Sequence, residues 1–206
     1  MTNFIYRNER ALSPNFCRSL IELFEVDKER QGRGVIRRGE KVFSADDHKT
    51  STDISFVPRD LEDKLWGKSL QKIIKTVERA RQDWIVQYYC GLERVDPFEI
   101  NYTFNMQRFL PGEGYYRFHN ERASFDTRDR VGVWMIYLND VYDKGWTEFF
   151  YQHHFEIPKA GKIVCWPSDW THTHRGIISP TEVKYILTGW FTFIDPKTIG
   201  RENDKS

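Results

Sequence analysis

Cysteine, long apolar runs and net charge are all scarce in this sequence. Its three cysteines, Cys17, Cys90 and Cys165, are widely spaced and form no Cys-x-x-Cys pair, which argues against a disulfide scaffold and favours a reducing compartment. No apolar run approaches the length of a membrane span and no signal-peptide pattern opens the chain, so we expect a cytoplasmic protein without membrane contact. The formal net charge of +1 argues against a general nucleic-acid-binding surface.

No internal repeat or low-complexity segment interrupts the 206 residues, which are enough for one domain with a sizeable core. Hydrophobic residues make up 39% and aromatic residues 16% of the chain, a composition that suits a β-rich globular protein. The richest basic stretch, residues 28–41, contains three glycines and is interpreted as a solvated loop.

The period of the apolar residues changes near residue 99. Before it, helical spacing predicts one helix over 13–25, which Ser13 can cap, and one or two helices over 59–88. Residues 1–98 are therefore interpreted as a helical support region. From residue 99 onward apolar and polar residues alternate, as they do in half-buried strands. After this first strand, others are predicted at 115–121, 131–138, 147–151, 162–166, 171–175 and 183–194.

Many short strands without interleaved helices predict a barrel or jelly roll. The expected fold class is mainly β with supporting α-helices. We expect a single domain, with its β core over residues 99–195 and a C-terminal tail over 196–206.

His119 and Glu121 are the most informative pair in the chain. At positions i and i+2 of a strand their side chains point to the same side, so both can project into a barrel. With one distant histidine they form the two-histidine, one-carboxylate set that holds catalytic Fe(II) on one face. That histidine is His172 or His174, which strand alternation places on the same face. Aromatic residues would supply the dry walls of such a site: Tyr102, Phe104, Phe118, Trp134 and Trp166.

Two other interpretations of the pair stay open at this point. A His-x-Glu tripeptide also occurs on solvated surface strands. A zinc hydrolase also uses two histidines and a glutamate, but the His-Glu-x-x-His helix motif is absent from the sequence. Of the other histidines, His153 and His154 are adjacent and would face opposite sides of a strand, and His48 lies in a polar segment.

Lys184 is the only charged residue between Val183 and Ile194. A lysine at the mouth of a barrel can keep its amine in water. A lysine directed into the barrel is costly unless an anion pairs with it, and a dicarboxylate co-substrate would be such an anion. We favour the second interpretation because the metal set and the lysine support each other.

Ordered sequence blocks continue this pattern from Gln107 to Phe193. The blocks are Arg108-Phe-Leu-Pro-Gly-Glu-Gly-Tyr-Tyr-Arg-Phe-His119-Asn-Glu121, Met135-Ile-Tyr-Leu-Asn-Asp140, Gly145-Trp-Thr-Glu-Phe149, Pro158-Lys-Ala-Gly-Lys162, Trp166-Pro-Ser168, His174-Arg-Gly176 and Lys184-Tyr-Ile-Leu-Thr-Gly-Trp190. Together they resemble the Fe(II)/2-oxoglutarate-dependent dioxygenases, specifically the prolyl 4-hydroxylase-like branch.

The resemblance implies a double-stranded β-helix, a form of jelly roll, that uses Fe(II), 2-oxoglutarate and O2, with ascorbate as a candidate reductant. In this family the distal histidine lies about as far before the basic co-substrate residue as His174 lies before Lys184, which favours His174 over His172. His119, Glu121 and His174 would be the catalytic metal ligands. Lys184 would pair with the C5 carboxylate of 2-oxoglutarate.

The sequence departs from the family in three places. The usual His-x-Asp is His-x-Glu here, so the carboxylate of Glu121 is one methylene longer. The tyrosine often found before the Pro-Gly element is replaced by Phe109 or Leu110, and Tyr102 is predicted to supply its hydroxyl contact to the co-substrate. The usual Gly-Gly-x-Thr element reads Gly145-Trp-Thr147, which places a tryptophan near the entrance.

The implied reaction is hydroxylation of an unactivated C–H bond, foremost in a prolyl residue of a peptide or protein. The related halogenases have a small residue in place of the carboxylate, so Glu121 favours hydroxylation. A free amino acid or another small metabolite is the alternative substrate, and a non-catalytic jelly-roll binding module is the alternative function. We expect a monomer or homodimer, with no nucleic acid and no membrane as partner.

Overall fold

The computed structural model describes residues 2–38, 41–43 and 48–195. The predicted tail over 196–206 and part of the basic stretch over 28–41 lie outside these residues. Within the described ranges, no helix is long and apolar enough to cross a membrane.

Eight antiparallel strands form a large sheet. Its order is β1 (Tyr6–Asn8), β13 (Ile163–Pro167), β10 (Arg130–Tyr137), β15 (Lys184–Phe193), β8 (Phe104–Phe109), β6 (Thr52–Phe56) and β2 (Gly32–Arg33), and β7 (Phe98–Ile100) also pairs with β15.

A small antiparallel sheet faces it. The order of this sheet is β12 (His154–Glu156), β11 (Thr147–Phe149) and β14 (His174–Gly176). Two further strand pairs join β3 (Ile36–Arg38) to β4 (Lys41–Phe43) and β5 (Lys49–Thr50) to β9 (Gly114–Tyr115). This arrangement is the predicted jelly roll with supporting helices, so the predicted fold class is confirmed.

The helices cover one face of the large sheet. Helix α1 (Pro14–Val26) begins where predicted, and the Ser13 hydroxyl accepts a hydrogen bond from the Phe16 amide at 3.3 Å. The second helical region is a 3-10 turn (Pro58–Glu62) followed by α2 (Gly67–Gln87) and the short α3 (Tyr89–Leu92). Other 3-10 turns span Lys28–Arg30, Phe125–Thr127 and Trp170–His172.

Both faces of the large sheet are apolar, and each packs a different cluster. Residues at helical spacing on α2 pack against the outer face of the sheet, where they meet Trp134 and Ile136. The inner face, with Val133 and Met135 from the same strand, packs against the small sheet. The inner cluster consists of Ile5, Phe109, Val133, Met135, Tyr137, Phe149, Val164, Trp166 and Ile186.

Residues 1–98 are not only helical, contrary to the sequence interpretation. Strand β1 pairs with β13 and β6 pairs with β8, so both belong to the same sheet as the β core. Strands β2, β3 and β4 occupy much of the stretch interpreted as a loop. These strands are two to five residues long, which is too short for alternation to be visible in sequence.

Three predicted strands are shorter or different in the structure. The strand from 99 is broken between β7 and β8 at residues 101–103. The strand over 115–121 ends at Tyr115, and His119 forms only an isolated bridge to His174. The strand over 171–175 is a 3-10 turn followed by β14, so His172 and His174 do not share a strand face.

Gly132 lies where α2 comes very close to the large sheet, because a Cβ on this residue would be 2.6 Å from the Trp84 ring. Trp84 is buried and stacks on Phe191 with ring centroids 5.9 Å apart. We expect Gly132→Ala to lower the free energy of unfolding by about 1–3 kcal/mol, the usual range for overpacking. Urea unfolding would measure this effect.

The matched control is Gly91→Ala in α3, where nothing lies within 4 Å of an added Cβ. This change should be neutral or stabilise the protein by up to about 1 kcal/mol, because alanine is the better helix former. Equal destabilisation by both substitutions would contradict the close packing of α2 on the sheet.

Candidate metal centre

Three donor side chains converge between the two sheets. His119, Glu121 and His174 each offer one ligand atom, and these atoms lie within 4.8 Å of one another. The Glu121 Oε1 atom is 3.4 Å from His119 Nε2 and 3.9 Å from His174 Nε2. Neighbouring donors on an octahedral ion at about 2.1 Å are about 3 Å apart, so small side-chain rotations would close the set around a metal.

Backbone carbonyls fix which nitrogen each histidine presents. His119 Nδ1 donates to the Arg117 carbonyl at 2.9 Å, and His174 Nδ1 donates to the His172 carbonyl at 2.9 Å. The ring nitrogen that each histidine directs toward Glu121 is therefore Nε2. Burial, together with the neighbouring His119, lowers the pKa of His174 to about 3, so this imidazole is neutral at physiological pH. A neutral imidazole is the form that binds metal.

The Glu121 carboxylate stays ionised in spite of its surroundings. Burial alone would raise its pKa, but its hydrogen-bonding and charged neighbours, Arg130 among them, hold this pKa well below its usual range. One carboxylate oxygen and two imidazole nitrogens form the two-histidine, one-carboxylate set that suits Fe(II). These residues fit a resident Fe(II) ion.

The segment that carries His119 and Glu121 is held by the backbone although it is not a strand. His119 and His174 exchange two backbone hydrogen bonds, each 2.9 Å long. The Glu121 amide donates to the Ser168 carbonyl at 3.1 Å, and the Ser168 hydroxyl donates to the Arg130 carbonyl at 2.6 Å. Both side chains still project to one side, as the sequence predicted, but through these bonds rather than through strand alternation.

His172 lies beside the group and directs both ring nitrogens elsewhere. Its Nε2 is 3.0 Å from the Asn3 carbonyl, and its Nδ1 is 3.1 Å from the Thr171 hydroxyl. The contribution of His172 to the centre is its backbone carbonyl, which orients the His174 ring.

Lys184 is buried on the inner face of the large sheet, with 5% of its surface exposed. Its Nζ donates to the Gly145 carbonyl at 2.9 Å and lies 5.0 Å from the centre of the Phe109 ring. Burial lowers the pKa of Lys184 to about 8, and no carboxylate among the described residues contributes to that shift. Gly176, two residues after His174, lies beside the amine, since a Cβ there would be 3.7 Å from Nζ. Lys184 is therefore a buried cation without a carboxylate partner in the part of the chain that the structure describes.

The predicted aromatic walls are partly wrong. Trp166 does contact the centre, with its ring 5.0 Å from that of His174. Phe104 and Trp134 face the helices instead, and Phe118 is 38% exposed. Phe149 and Tyr115 were not predicted: Phe149 lies 5.6 Å from His174, and the Tyr115 ring stacks on His119 at 3.7 Å.

Tyr102 is not brought to this centre, so its predicted contact with the co-substrate is corrected. It is 39% exposed and lines a groove between α2 and β7, together with Ile74, Glu78 and Ile194. There are two physical reasons. The break at residues 101–103 removes Tyr102 from the strand. The register of β8 then places Phe109, and not Tyr102, opposite Lys184 on the inner face.

Four residues near the centre were missed from sequence. The Tyr137 hydroxyl donates to the Thr147 hydroxyl at 2.7 Å, and Thr147 pairs with Gly176 in the small sheet, next to the Lys184 amine. Trp190 and Arg130 both contact Glu121. Lys184 and Trp190 lie an even number of positions apart along β15, so alternation could have placed Trp190 on the same inner face as Lys184. No local signal marks Arg130, whose position depends on an irregular register.

The comparisons with known proteins agree with this arrangement. Residues 104–192 match the 2OG-Fe(II) oxygenase superfamily, and no curated protein sequence matches the chain. Among solved structures, a Pseudomonas putida prolyl-4-hydroxylase superimposes with a TM-score of 0.67 at 18% identity, covering 94% of this chain and 95% of that one.

Two further structures show the same fold. The viral collagen prolyl hydroxylase of Paramecium bursaria Chlorella virus-1, solved with 2OG, has a TM-score of 0.63 at 15% identity, covering 93% of this chain and 97% of that one. A Trichoplax adhaerens prolyl hydroxylase, solved with a hypoxia inducible factor peptide fragment, has a TM-score of 0.66 at 16% identity, covering 93% of this chain and 84% of that one. The chain therefore has the fold of these prolyl hydroxylases, and its residues 104–192 are similar to the 2OG-Fe(II) oxygenase superfamily.

Proposed function

We propose that this protein is an Fe(II)- and 2-oxoglutarate-dependent dioxygenase that hydroxylates a prolyl residue in a peptide or protein. The observation that carries the proposal is the pairing of two features in one barrel. Three metal donors lie within 4.8 Å of one another, and a buried lysine without a carboxylate partner among the described residues lies on the same inner face. A binding module or a zinc hydrolase has no use for that lysine.

The chain's own residues would each have a defined task. His119 Nε2, His174 Nε2 and Glu121 Oε1 would bind the ion, and Lys184 would pair with the distal carboxylate of 2-oxoglutarate. The Tyr137–Thr147 hydroxyl pair would supply the contact to the co-substrate that the sequence assigns to Tyr102. When bound, Fe(II) with 2-oxoglutarate and dioxygen supplies the oxidising chemistry that yields succinate, carbon dioxide and a hydroxylated product. Phe149 and Trp166 keep water away from the donors.

A prolyl substrate is supported by the three similar structures, each of which is named a prolyl hydroxylase. One of them was solved with a peptide fragment bound. The identities of 15% to 18% establish a shared fold, and the substrate is inferred from that likeness. A free amino acid or another small metabolite is the alternative substrate.

The experiment is a succinate assay on the purified protein. Fe(II) and 2-oxoglutarate are added without oxygen, and oxygen is then admitted with proline-rich peptides, with free amino acids or with neither. We expect metal-dependent succinate that rises with the peptides, together with a peptide mass gain of one oxygen. His119→Ala is the matched inactive control. Stimulation by free amino acids alone would assign the alternative substrate class, and no metal-dependent succinate under any condition would favour a binding module.

The pH dependence of co-substrate binding follows from Lys184. Its lowered pKa of about 8 means that the charged amine is lost as pH rises through 8, whereas 2-oxoglutarate stays a dianion. We expect its dissociation constant on the Mn(II)-loaded protein to be flat below about pH 8 and then to rise by up to about tenfold per pH unit. Anaerobic titration between pH 7 and 9.5 would measure this. Lys184→Arg keeps its charge throughout and should remove the dependence; a flat wild-type profile would contradict the role of Lys184.

A cytoplasmic location is also proposed. All three cysteines are free, and Cys17 and Cys165 are buried, which suits a reducing compartment.

A further inference from the structure

The two oxygens of the Glu121 carboxylate have different surroundings. Oε1 faces the imidazoles of His119 and His174, at 3.4 and 3.9 Å. Oε2 accepts a hydrogen bond from Trp190 Nε1 at 2.9 Å and another from Arg130 Nη1 at 3.1 Å. Arg130 Nη1 also donates to the Glu121 backbone carbonyl at 3.0 Å. The carboxylate is thus held by two donors on the side away from the metal position.

Arg130 and Trp190 are fixed to each other as well as to Glu121. The Arg130 guanidinium lies over the Trp190 ring, 3.8 Å from its centre, a geometry in which the positive charge faces the electron-rich ring. Trp190 also packs against the inner apolar cluster. Neither donor can follow a rotation of Glu121 without breaking these contacts.

A β-bulge puts Arg130 in this place. Val133 pairs with Trp190 and Gly132 with Phe191, but Arg130, not Val131, lies opposite Thr192. Val131 is the extra residue and packs against the helix-side core. Without the bulge Arg130 would face the helices; with it, Arg130 lies on the same face as Trp190.

The coordination number shows why this matters. His119, Glu121 and His174 would hold a six-coordinate ion on one face and would leave its remaining positions for 2-oxoglutarate and dioxygen. A carboxylate can bind an ion through one oxygen or through both. The extra methylene of glutamate adds a rotatable bond and brings both oxygens within reach of the ion. Binding through both would fill a position that the reaction needs.

We propose that Arg130 and Trp190 are positioning residues that retain Glu121 Oε2, so that Glu121 binds the metal through Oε1 alone. This inference rests on the proposed function and deepens it. The inference also explains how Glu121 can stand where the family usually has aspartate. The shorter aspartate side chain limits the movement of its own carboxylate, whereas the Glu121 carboxylate is held in place by Arg130 and Trp190 of the large sheet.

The test uses Mn(II) as the probe on the full-length protein. Trp190→Phe removes the Nε1 donor and keeps a ring under Arg130, and Arg130→Met removes the second donor independently. Water-proton relaxation counts the exchangeable waters on bound Mn(II), and EPR of free Mn(II) gives the affinity. In the wild type we expect three waters. In each variant Oε2 keeps only one of its two donors, and we expect it to bind the ion and displace one water, so relaxation per bound ion falls by about one third.

Two further readouts separate positioning from damage. The dissociation constant of 2-oxoglutarate on the Mn(II)-loaded variants should rise by about tenfold or more, while Mn(II) affinity should be unchanged or higher, because a second oxygen has been added. Simple structural damage would lower Mn(II) affinity instead. Arg130→Lys keeps a cationic donor and should restore part of the wild-type hydration. Trp170→Phe, at a tryptophan that is 66% exposed, is the matched control and should change nothing.

Wild-type hydration and 2-oxoglutarate affinity in both Trp190→Phe and Arg130→Met would overturn the inference and leave the proposed function standing. Lower Mn(II) affinity in these variants would also overturn it, since that result assigns them a merely structural role. Failure of the wild type to bind Mn(II) would overturn the proposed function and this inference together.

Discussion

His174→Ala is expected to abolish metal binding. The variant removes one of the three donors that lie within 4.8 Å of one another, and the buried space it leaves is lined by Phe149 and Trp166, neither of which can donate to an ion. Anaerobic titration with Fe(II), or with Mn(II) followed by EPR, would measure the loss. A two-donor site should fall below detection at metal concentrations that saturate the wild type.

His172→Ala is the matched control for this prediction. Both nitrogens of His172 are engaged by Asn3 and Thr171, and the carbonyl that orients His174 is a backbone group that alanine retains. We expect metal affinity to fall by at most about tenfold, the lower end of the effects seen for outer partners of a metal ligand. The reverse ranking of the two variants would show that His172 is the ligand.

Lys184→Met is expected to raise the dissociation constant of 2-oxoglutarate by at least about a hundredfold. Breaking a buried charge pair by removing one partner costs about 3–5 kcal/mol, and methionine has no charged donor to replace the amine that lies beside Gly145. Titration of 2-oxoglutarate into the Mn(II)-loaded protein would measure the change, which should be confined to the co-substrate and leave metal affinity intact.

Stability provides the control for Lys184. In the protein without co-substrate this lysine is a buried cation whose pKa is lowered by burial, so its replacement by an apolar side chain should leave the free energy of unfolding unchanged or raise it. Lys159→Met makes the same charge change at an exposed position and should affect neither quantity. An unchanged co-substrate requirement in Lys184→Met would refute the role of Lys184.

The sequence was most informative where an element is long and uniform. Strand β10 and strand β15 lie where alternation predicted them, and β15 carries Lys184 on the inner face. Helix α1 begins at its predicted cap. Each of these elements is long enough for its own apolar pattern to indicate whether it is a helix or a strand and where it begins and ends. No knowledge of the neighbouring elements is needed.

The face of a strand was harder to predict than its existence. Phe104 and Trp134 were expected in the site, but they face the helices, while Phe109 and Val133 face the site. Both faces of the large sheet are buried and apolar, so alternation separates the two faces without showing which one points inward. The inward face of a strand is identified only by pairing with a strand whose orientation is known. Phe109 of β8, for example, pairs with Lys184 of β15 and therefore faces inward with it.

Arg130 illustrates a limit of a different kind. Regular alternation through β10 would direct its side chain to the helices, and one unpaired residue, Val131, reverses that direction. The position of a bulge depends on hydrogen bonding between strands distant in sequence, which no local pattern records. The same holds for His119, whose place is fixed by a bridge to His174 rather than by a strand of its own.

That bridge has a consequence for how the protein acquires its metal. Two backbone hydrogen bonds tie His119 to His174, and a third ties Glu121 to Ser168, so the three ligands are assembled by the fold itself. Small zinc modules stay unfolded until they bind the ion, and the free energy of metal binding drives their folding. Here we expect the opposite order: the chain folds first, and the ion enters a finished site with little further ordering of the backbone. Metal exchange would then leave the polypeptide folded.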